Sequence, residues 1–257
     1  MSAMFSVKNG AIFVGDAHAN ANKNSLFDWL CELEKSPPPQ LFLMGDLFDF
    51  LTCTAYSQRF FSEVIAKINS LCERCEVFYF EGNHDFNLTR IFPKAHVFDV
   101  ASQPQIFAVF TETTANQNLT LHKKVALSHG DIYLSFLETA FMRALRFKPL
   151  LWFLNLLDSL IGWRISKGIL KSQADKKLDF VIADFEYIAR ARSKRYKEVS
   201  FVVEGHFHQG VKGKFDGQNA LLTYHNLAAF ANGGKFYEAL TSDGELVLNE
   251  RTFLKKG

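Results

Sequence analysis

Five times along this chain a short apolar run gives way to a turn that carries Asp, Asn or His. Ala11–Val14 leads into Gly15-Asp16-Ala17-His18, and Gln40–Met44 into Gly45-Asp46-Leu47-Phe48-Asp49. Val77–Phe80 leads into Gly82-Asn83-His84-Asp85, Val125–Ser128 into His129-Gly130-Asp131, and Ser200–Val203 into Gly205-His206-Phe207-His208. Short apolar runs bounded by turn residues read as buried strands. In an α/β sheet, the loops at the carboxyl ends of strands converge on one crevice, so five distant segments can meet there. Five of the eight histidines fall in these segments, which chance placement explains poorly.

Helical patterns at Ser25–Glu34 and Ser57–Cys72 separate the first three runs, and Pro37-Pro38-Pro39 stops the first helix. After His129 the pattern turns helical over about 135–197. The tail, Gly213–Thr252, alternates and turns at Asp216-Gly217 and Asp243-Gly244, as antiparallel hairpins do. The expectation is one α/β domain over 1–257 carrying a helical insertion, or lid, at 135–197. With 48% hydrophobic residues, the 257-residue chain can bury a full core, which excludes global disorder. A formal charge of only +2 argues against a whole-surface grip on nucleic acid, and no nucleic-acid partner is expected.

The seven residues Asp16, His18, Asp46, Asn83, His129, His206 and His208 combine carboxylate, imidazole and amide oxygen without thiolate. That donor set suits Mn²⁺, Fe²⁺ or Zn²⁺ better than the all-oxygen shells of Mg²⁺ or Ca²⁺. Seven donors are too many for one ion and fit two ions sharing a carboxylate, a clamp suited to in-line displacement at phosphorus. A lone strand-end Asp or His is usually a turn former, Asp49 and Asp85 read equally as caps or loop hydrogen-bonders, and Asp131 reads either as support for His129 or as a cap of the following helix. His96, His122 and His225 lie outside the pattern and read as structural.

The ordered series D-x-H, GD, GNH, H and GHxH resembles the calcineurin-like metallophosphoesterase superfamily. The resemblance implies a four-layer α/β/β/α sandwich and two divalent ions, with Mn²⁺ favoured. It places one ion on Asp16, His18, Asp46 and His208, and the other on Asp46, Asn83, His129 and His206. His84 would stabilise the phosphoryl charge or protonate the leaving oxygen, oriented by Asp49, and both are candidate catalytic residues.

Within 143–171 six basic residues (Arg143, Arg146, Lys148, Arg164, Lys167 and Lys171) flank a dense apolar run and meet one acid, Asp158. Such a segment can lie at a membrane interface or form an apolar pocket beside a phosphate site; a packed cap or an oligomer interface explains it equally. Its longest run, Pro149–Trp163, is too short to span a bilayer, which needs roughly 20 residues. The layout is most similar to the UDP-2,3-diacylglucosamine pyrophosphatases of lipid A synthesis. That resemblance implies a lipid-linked nucleotide sugar as substrate, with Arg164, Lys167 and Lys171 as substrate-binding candidates. It also implies a cytoplasmic protein with peripheral contact at the inner membrane. The similar family carries Arg in place of His84, and its final motif continues differently after His208. Two other readings stay open: a phosphatase or phosphodiesterase of another substrate, and a non-catalytic scaffold on the same fold. The start of the chain carries no signal-peptide pattern, and Cys31, Cys53, Cys72 and Cys75 are expected reduced.

Overall fold

The computed structural model describes residues 4–22, 25–110, 123–133 and 136–254. His122 and Ser135 lie outside the described residues. In chain order the elements are β1 (Ile12–Val14), α1 (Ser25–Lys35), β2 (Gln40–Leu43), α2 (Ala55–Phe60), α3 (Ser62–Leu71), β3 (Glu76–Phe80), β4 (His96–Phe98), β5 (Gln105–Val109) and β6 (Lys123–Ser128). There follow α4 (Phe136–Arg146), α5 (Lys148–Leu160), α6 (Arg164–Ala174), α7 (Phe185–Ser193), β7 (Phe201–Glu204), β8 (Lys212–Asp216), β9 (Leu221–Asn226), β10 (Lys235–Ser242) and β11 (Glu245–Thr252).

The strands form two sheets, in the orders β11-β10-β1-β2-β3-β4 and β5-β6-β7-β9-β8. Within them β1 to β4 run parallel, as do β6, β7 and β9, so their carboxyl ends point one way. Successive strand side chains face opposite sides, and the sequence fills both sides with apolar residues. Phe13, Phe42 and Phe78 meet Phe107, Val125 and Val203 between the sheets. Ile12, Leu41 and Tyr79 point the other way and pack with Trp29, Leu30 and Ile68 of α1 and α3. On the far side Val202 and Tyr224 pack with Phe185 and Ala189 of α7. The result is the four-layer α/β/β/α sandwich, and the stacked phenylalanines account for much of the aromatic content.

Two details differ from the sequence expectation. The helix expected over Ser57–Cys72 starts earlier and breaks at Phe61 (φ −100°, ψ 17°), whose ring is buried edge-on against Phe48, 4.9 Å away. Among the described residues of 135–197 four helices form: α7 builds the outer layer of the second sheet, α6 packs Leu170 into the first sheet's outer core, and α4 and α5 leave most of their apolar side chains exposed. The β10–β11 hairpin turns on Asp243 and Gly244, both at positive φ, the two-residue geometry the Asp-Gly pair favours.

Candidate metal centre

The loops after β1, β2, β3, β6 and β7 carry the predicted donors to one place. Asp16, His18 and His208 have donor atoms mutually within 4.8 Å, and so have Asp46, His129 and His206. Holding them there strains the backbone. Asp16, His18, Asp46, His206 and His208 all adopt left-handed φ between 45° and 65°, an unfavourable region for non-glycine residues that clusters at functional sites. The glycines of the motifs permit the close approach. Gly45 sits at φ +86° with no room for a Cβ against the His129 ring, and a Cβ on Gly82 would collide with Asp46 Oδ1.

Several hydrogen bonds fix which ring nitrogen is free. His129 Nδ1 donates to the Met44 carbonyl (2.7 Å) and His208 Nδ1 to that of Leu178 (3.2 Å), leaving each Nε2 to face a carboxylate, where a proton or a cation can sit. Those Nε2 atoms lie 3.3 Å from Asp46 Oδ2 and 3.2 Å from Asp16 Oδ1. Burial alone would push the Asp46 carboxyl up, but the imidazoles of His129 and His84 outweigh it and hold the group well below the ordinary carboxylate range. Burial opposes the His129 cation, yet the Asp46 carboxylate holds that ring well above the usual histidine value.

The donors fit cations. His18 Nε2, His129 Nε2 and Asn83 Oδ1 are buried and have no hydrogen-bond partner among the described residues, an arrangement costly unless something else satisfies them. The donor set, imidazole with carboxylate and amide oxygen, matches borderline divalent metals.

The relation expected between Asp49 and His84 takes a different form. His84 Nδ1 donates to the backbone carbonyl of Asp49 at 2.8 Å. The Asp49 carboxylate instead accepts from Asn20 Nδ2 (2.7 Å) and lies 3.3 Å from His18 Nδ1. The φ of +45° at His18 brings its ring under Asp49, so the carboxylate serves the metal loop and the carbonyl serves His84.

Of the basic residues singled out, Lys167 and Lys171 line a cavity of about 340 Å³ with Asn20, Tyr56 and Phe60. Asn20 ties that cavity to Asp49. Arg164 is exposed at the start of α6 and outside the cavity's lining. Its helix is capped by buried Asp158, which accepts from the Ile165 and Ser166 amides.

Sequence reasoning missed two positioning residues, Asn226 and Glu204, and read Asp85 equally as a cap or loop hydrogen-bonder. Asp85 accepts from the amides of Asp46, Leu47 and Gly82 and from the Tyr79 hydroxyl, holding the Asp46 loop. Asn226, at the end of β9, donates to the Glu204 and Gly205 carbonyls and accepts from the Gln209 amide, bracketing His206 and His208. Glu204, fully buried, takes both Arg192 Nε (2.6 Å) and Nη2 (2.7 Å) beneath the same loop. The strand-end rule could have found Asn226 and Glu204.

A sandwich whose loops gather two histidine–carboxylate groups is the architecture of a metallophosphoesterase. The profile of the calcineurin-like phosphoesterase family matches residues 11–210, and the chain belongs to that family of phosphoester hydrolases. It is 24% identical over 206 residues to the UDP-2,3-diacylglucosamine hydrolase of Shewanella sp. strain W3-18-1, covering 77% of this chain and 80% of that one. With the like-named protein of Shewanella loihica it shares 25% over 147 residues, 56% of each chain. A third match, in Shewanella sp. strain ANA-3, is 27% identical but spans only 35% of that relative. The solved dimetal phosphatase of Danio rerio shares 12% identity at a TM-score of 0.48, over 95% of this chain and 96% of that one.

Proposed function

We propose that this chain is a dinuclear, Mn²⁺-favouring hydrolase that cleaves the pyrophosphate of UDP-2,3-diacylglucosamine to UMP and 2,3-diacylglucosamine 1-phosphate. The observation that carries the substrate reading is an uncovered apolar helical face next to the metal loops. On α4 and α5 Leu137 (78%), Phe141 (63%), Trp152 (68%) and Leu160 (75%) stand exposed, while Leu170 of α6 packs in the core cluster beside β1 and β2. Acyl chains and a membrane surface give that face a purpose, and Lys148, Arg164, Lys167 and Lys171 suit anionic headgroups. No helix among the described residues is long and apolar enough to cross a membrane, so the contact would be peripheral. The names of the Shewanella relatives support the same substrate.

Asp16, His18, Asp46 and His208 would hold one cation, and Asp46, Asn83, His129 and His206 the other. Bound cations supply Lewis-acid charge and acidify water. His84, with Nδ1 committed to the Asp49 carbonyl, presents Nε2 as the proton donor. As a water that has given up a proton to solvent bonds through oxygen to phosphorus and the bridging P–O bond breaks, the His84 proton passes to the departing phosphate oxygen, and the ring takes a proton back from solvent. Lys167 and Lys171 hold the second anionic arm in the cavity beside Asn20.

The test is turnover of UDP-2,3-diacylglucosamine in detergent micelles with Mn²⁺, beside bis-p-nitrophenyl phosphate. Fast UMP release with poor diester turnover is the expected result. Diester hydrolysis without UMP release would keep the metal site and overturn the substrate. Trp152→Asp with Leu160→Asp should abolish co-sedimentation with anionic vesicles while diester turnover stays intact.

A further inference from the structure

Arg146, the last residue of α4, reaches across to two loops that each carry a donor of the same proposed metal site. Its Nη2 donates to the carbonyl of Gly82 (2.9 Å), which immediately precedes Asn83. The same nitrogen donates to Asp131 Oδ2 (3.1 Å), two residues beyond His129. The guanidinium carbon stands 5.7 Å over the Phe86 ring, and the Arg146 carbonyl accepts from Asn87 Nδ2 at 3.0 Å. Asp131 is buried and Arg146 nearly so. In that setting one planar cation bridging two acceptors fixes their separation more firmly than exposed pairs do. On its other flank Arg146 lines a cavity of about 610 Å³ beneath α4, with Tyr133, Met142 and Phe147.

We infer that Arg146 is a positioning residue for the Asn83–His129–His206 metal site, supplied to the core by α4. The inference rests on the dinuclear reading above. Gly82 has no side chain of its own with which to anchor its loop, and Asn83 Oδ1 has no partner among the described residues to hold it. Asp85 holds the Gly82 amide from one side, and the Arg146–Gly82 bond fixes its carbonyl from the other, so together they set where that oxygen points, while the Arg146–Asp131 pair sets the path of the chain leaving His129. Attachment of α4 and integrity of the second metal site become one property.

Charge and geometry predict opposite signs. A guanidinium near the site repels a dication, so a role as mere neighbouring charge means that its removal tightens the second ion. A positioning role means that removal loosens it by roughly ten- to a hundredfold, the usual effect of losing a group that orients metal ligands. Arg146→Met keeps the stem over Phe86 and removes both donors, Arg146→Lys keeps the charge at shorter reach, and Arg143→Ala is the control on the same helix.

Metal-free full-length proteins would be titrated with Mn²⁺ alone by calorimetry, and the coupled Mn²⁺ pair followed by electron paramagnetic resonance. In Arg146→Met one of two dissociation constants should rise by roughly ten- to a hundredfold with the other unchanged, and the pair signal should fade at equal Mn²⁺. Arg146→Lys should recover part of the loss, and Arg143→Ala should match the parent protein. Two unchanged or tighter constants in Arg146→Met, with the parent binding two ions, overturn this inference alone. A parent protein that binds fewer than two ions overturns the dinuclear reading and this inference with it.

Discussion

His84 Nδ1 lies 2.8 Å from the backbone carbonyl of Asp49, while the carboxylate of Asp49 turns to Asn20 and His18. One residue thus serves two centres through different atoms, and substitution separates them. Replacing His84 with Ala should lower kcat by roughly a hundred- to ten-thousandfold with metal content near two per chain. Asp49→Ala leaves the carbonyl, and with it the His84 ring, in place. It should weaken metal affinity by roughly ten- to a hundredfold through His18. Metal analysis beside kcat at saturating Mn²⁺ checks both. An Asp49→Ala enzyme with full metal and the activity loss of His84→Ala would show that the carboxylate acts on His84 after all.

Asn226 holds both sides of the loop that carries His206 and His208. Asn226→Ala leaves the Gln209 amide without its acceptor and removes one of two donors from each of the Glu204 and Gly205 carbonyls, which keep the Leu227 and Phe207 amides, at a cost of about 2 kcal/mol. In a chain of this length that lowers Tm by roughly 4–8 °C. Thermal unfolding of the metal-free protein reads this directly. An unchanged Tm would mean that water replaces the amide without loss.

Beneath the same loop, Arg192 is paired in bidentate fashion with Glu204, whose oxygens also accept from the Tyr196 and Tyr224 hydroxyls. Burial pushes Glu204 up, but Arg192 outweighs it and keeps the carboxyl below its ordinary value. Arg192→Leu leaves an uncompensated buried charge and should cost about 3–5 kcal/mol. Adding Glu204→Gln, which removes the charge and keeps one acceptor oxygen for a tyrosine hydroxyl while its amide donates to the other, should return part of that loss. Urea unfolding of the single and double variants decides it, and a double variant less stable than Arg192→Leu would argue against the buried-charge account.

The candidate metal donors stood out in the sequence because each is a chemically distinctive side chain at a recurrent place, just past a strand, and the structure gathers six of them into two groups. The contacts that position them were less legible. Asp85 was readable beside Asn83 as a loop hydrogen-bonder, but not its partners, the amides of Asp46 and Leu47, and Arg146 acts on the Gly82 carbonyl, a role that leaves no pattern of residue types. The Asp49–His84 relation was legible as a pair but not as to which atom makes it, since any residue has a carbonyl. Short apolar runs announced the buried strands and alternation the tail hairpins, whereas the break at Phe61 depends on a ring buried against Phe48, a contact made only in the folded chain. Helical periodicity also could not separate α7, packed on the second sheet, from the helices before it.

His225 makes stability depend on pH apart from the metal site. It is buried on β9, edge-on to Tyr237 at 5.0 Å, and burial, with Lys212 adding to it, depresses its pKa to about 4. In the unfolded chain the ring titrates near the usual 6.5, so between these values the unfolded state binds the extra proton. The folded state therefore gains full advantage above about pH 6.5 and loses it as pH falls toward 4. Between pH 7 and pH 5 this ring alone should cost about 2 kcal/mol. Urea unfolding of the metal-free protein across that range should show the decline, and His225→Gln, which cannot take up the proton, should flatten it by that amount. Equal slopes for the two proteins would mean that the ring is protonated in the folded sheet as readily as in the unfolded chain.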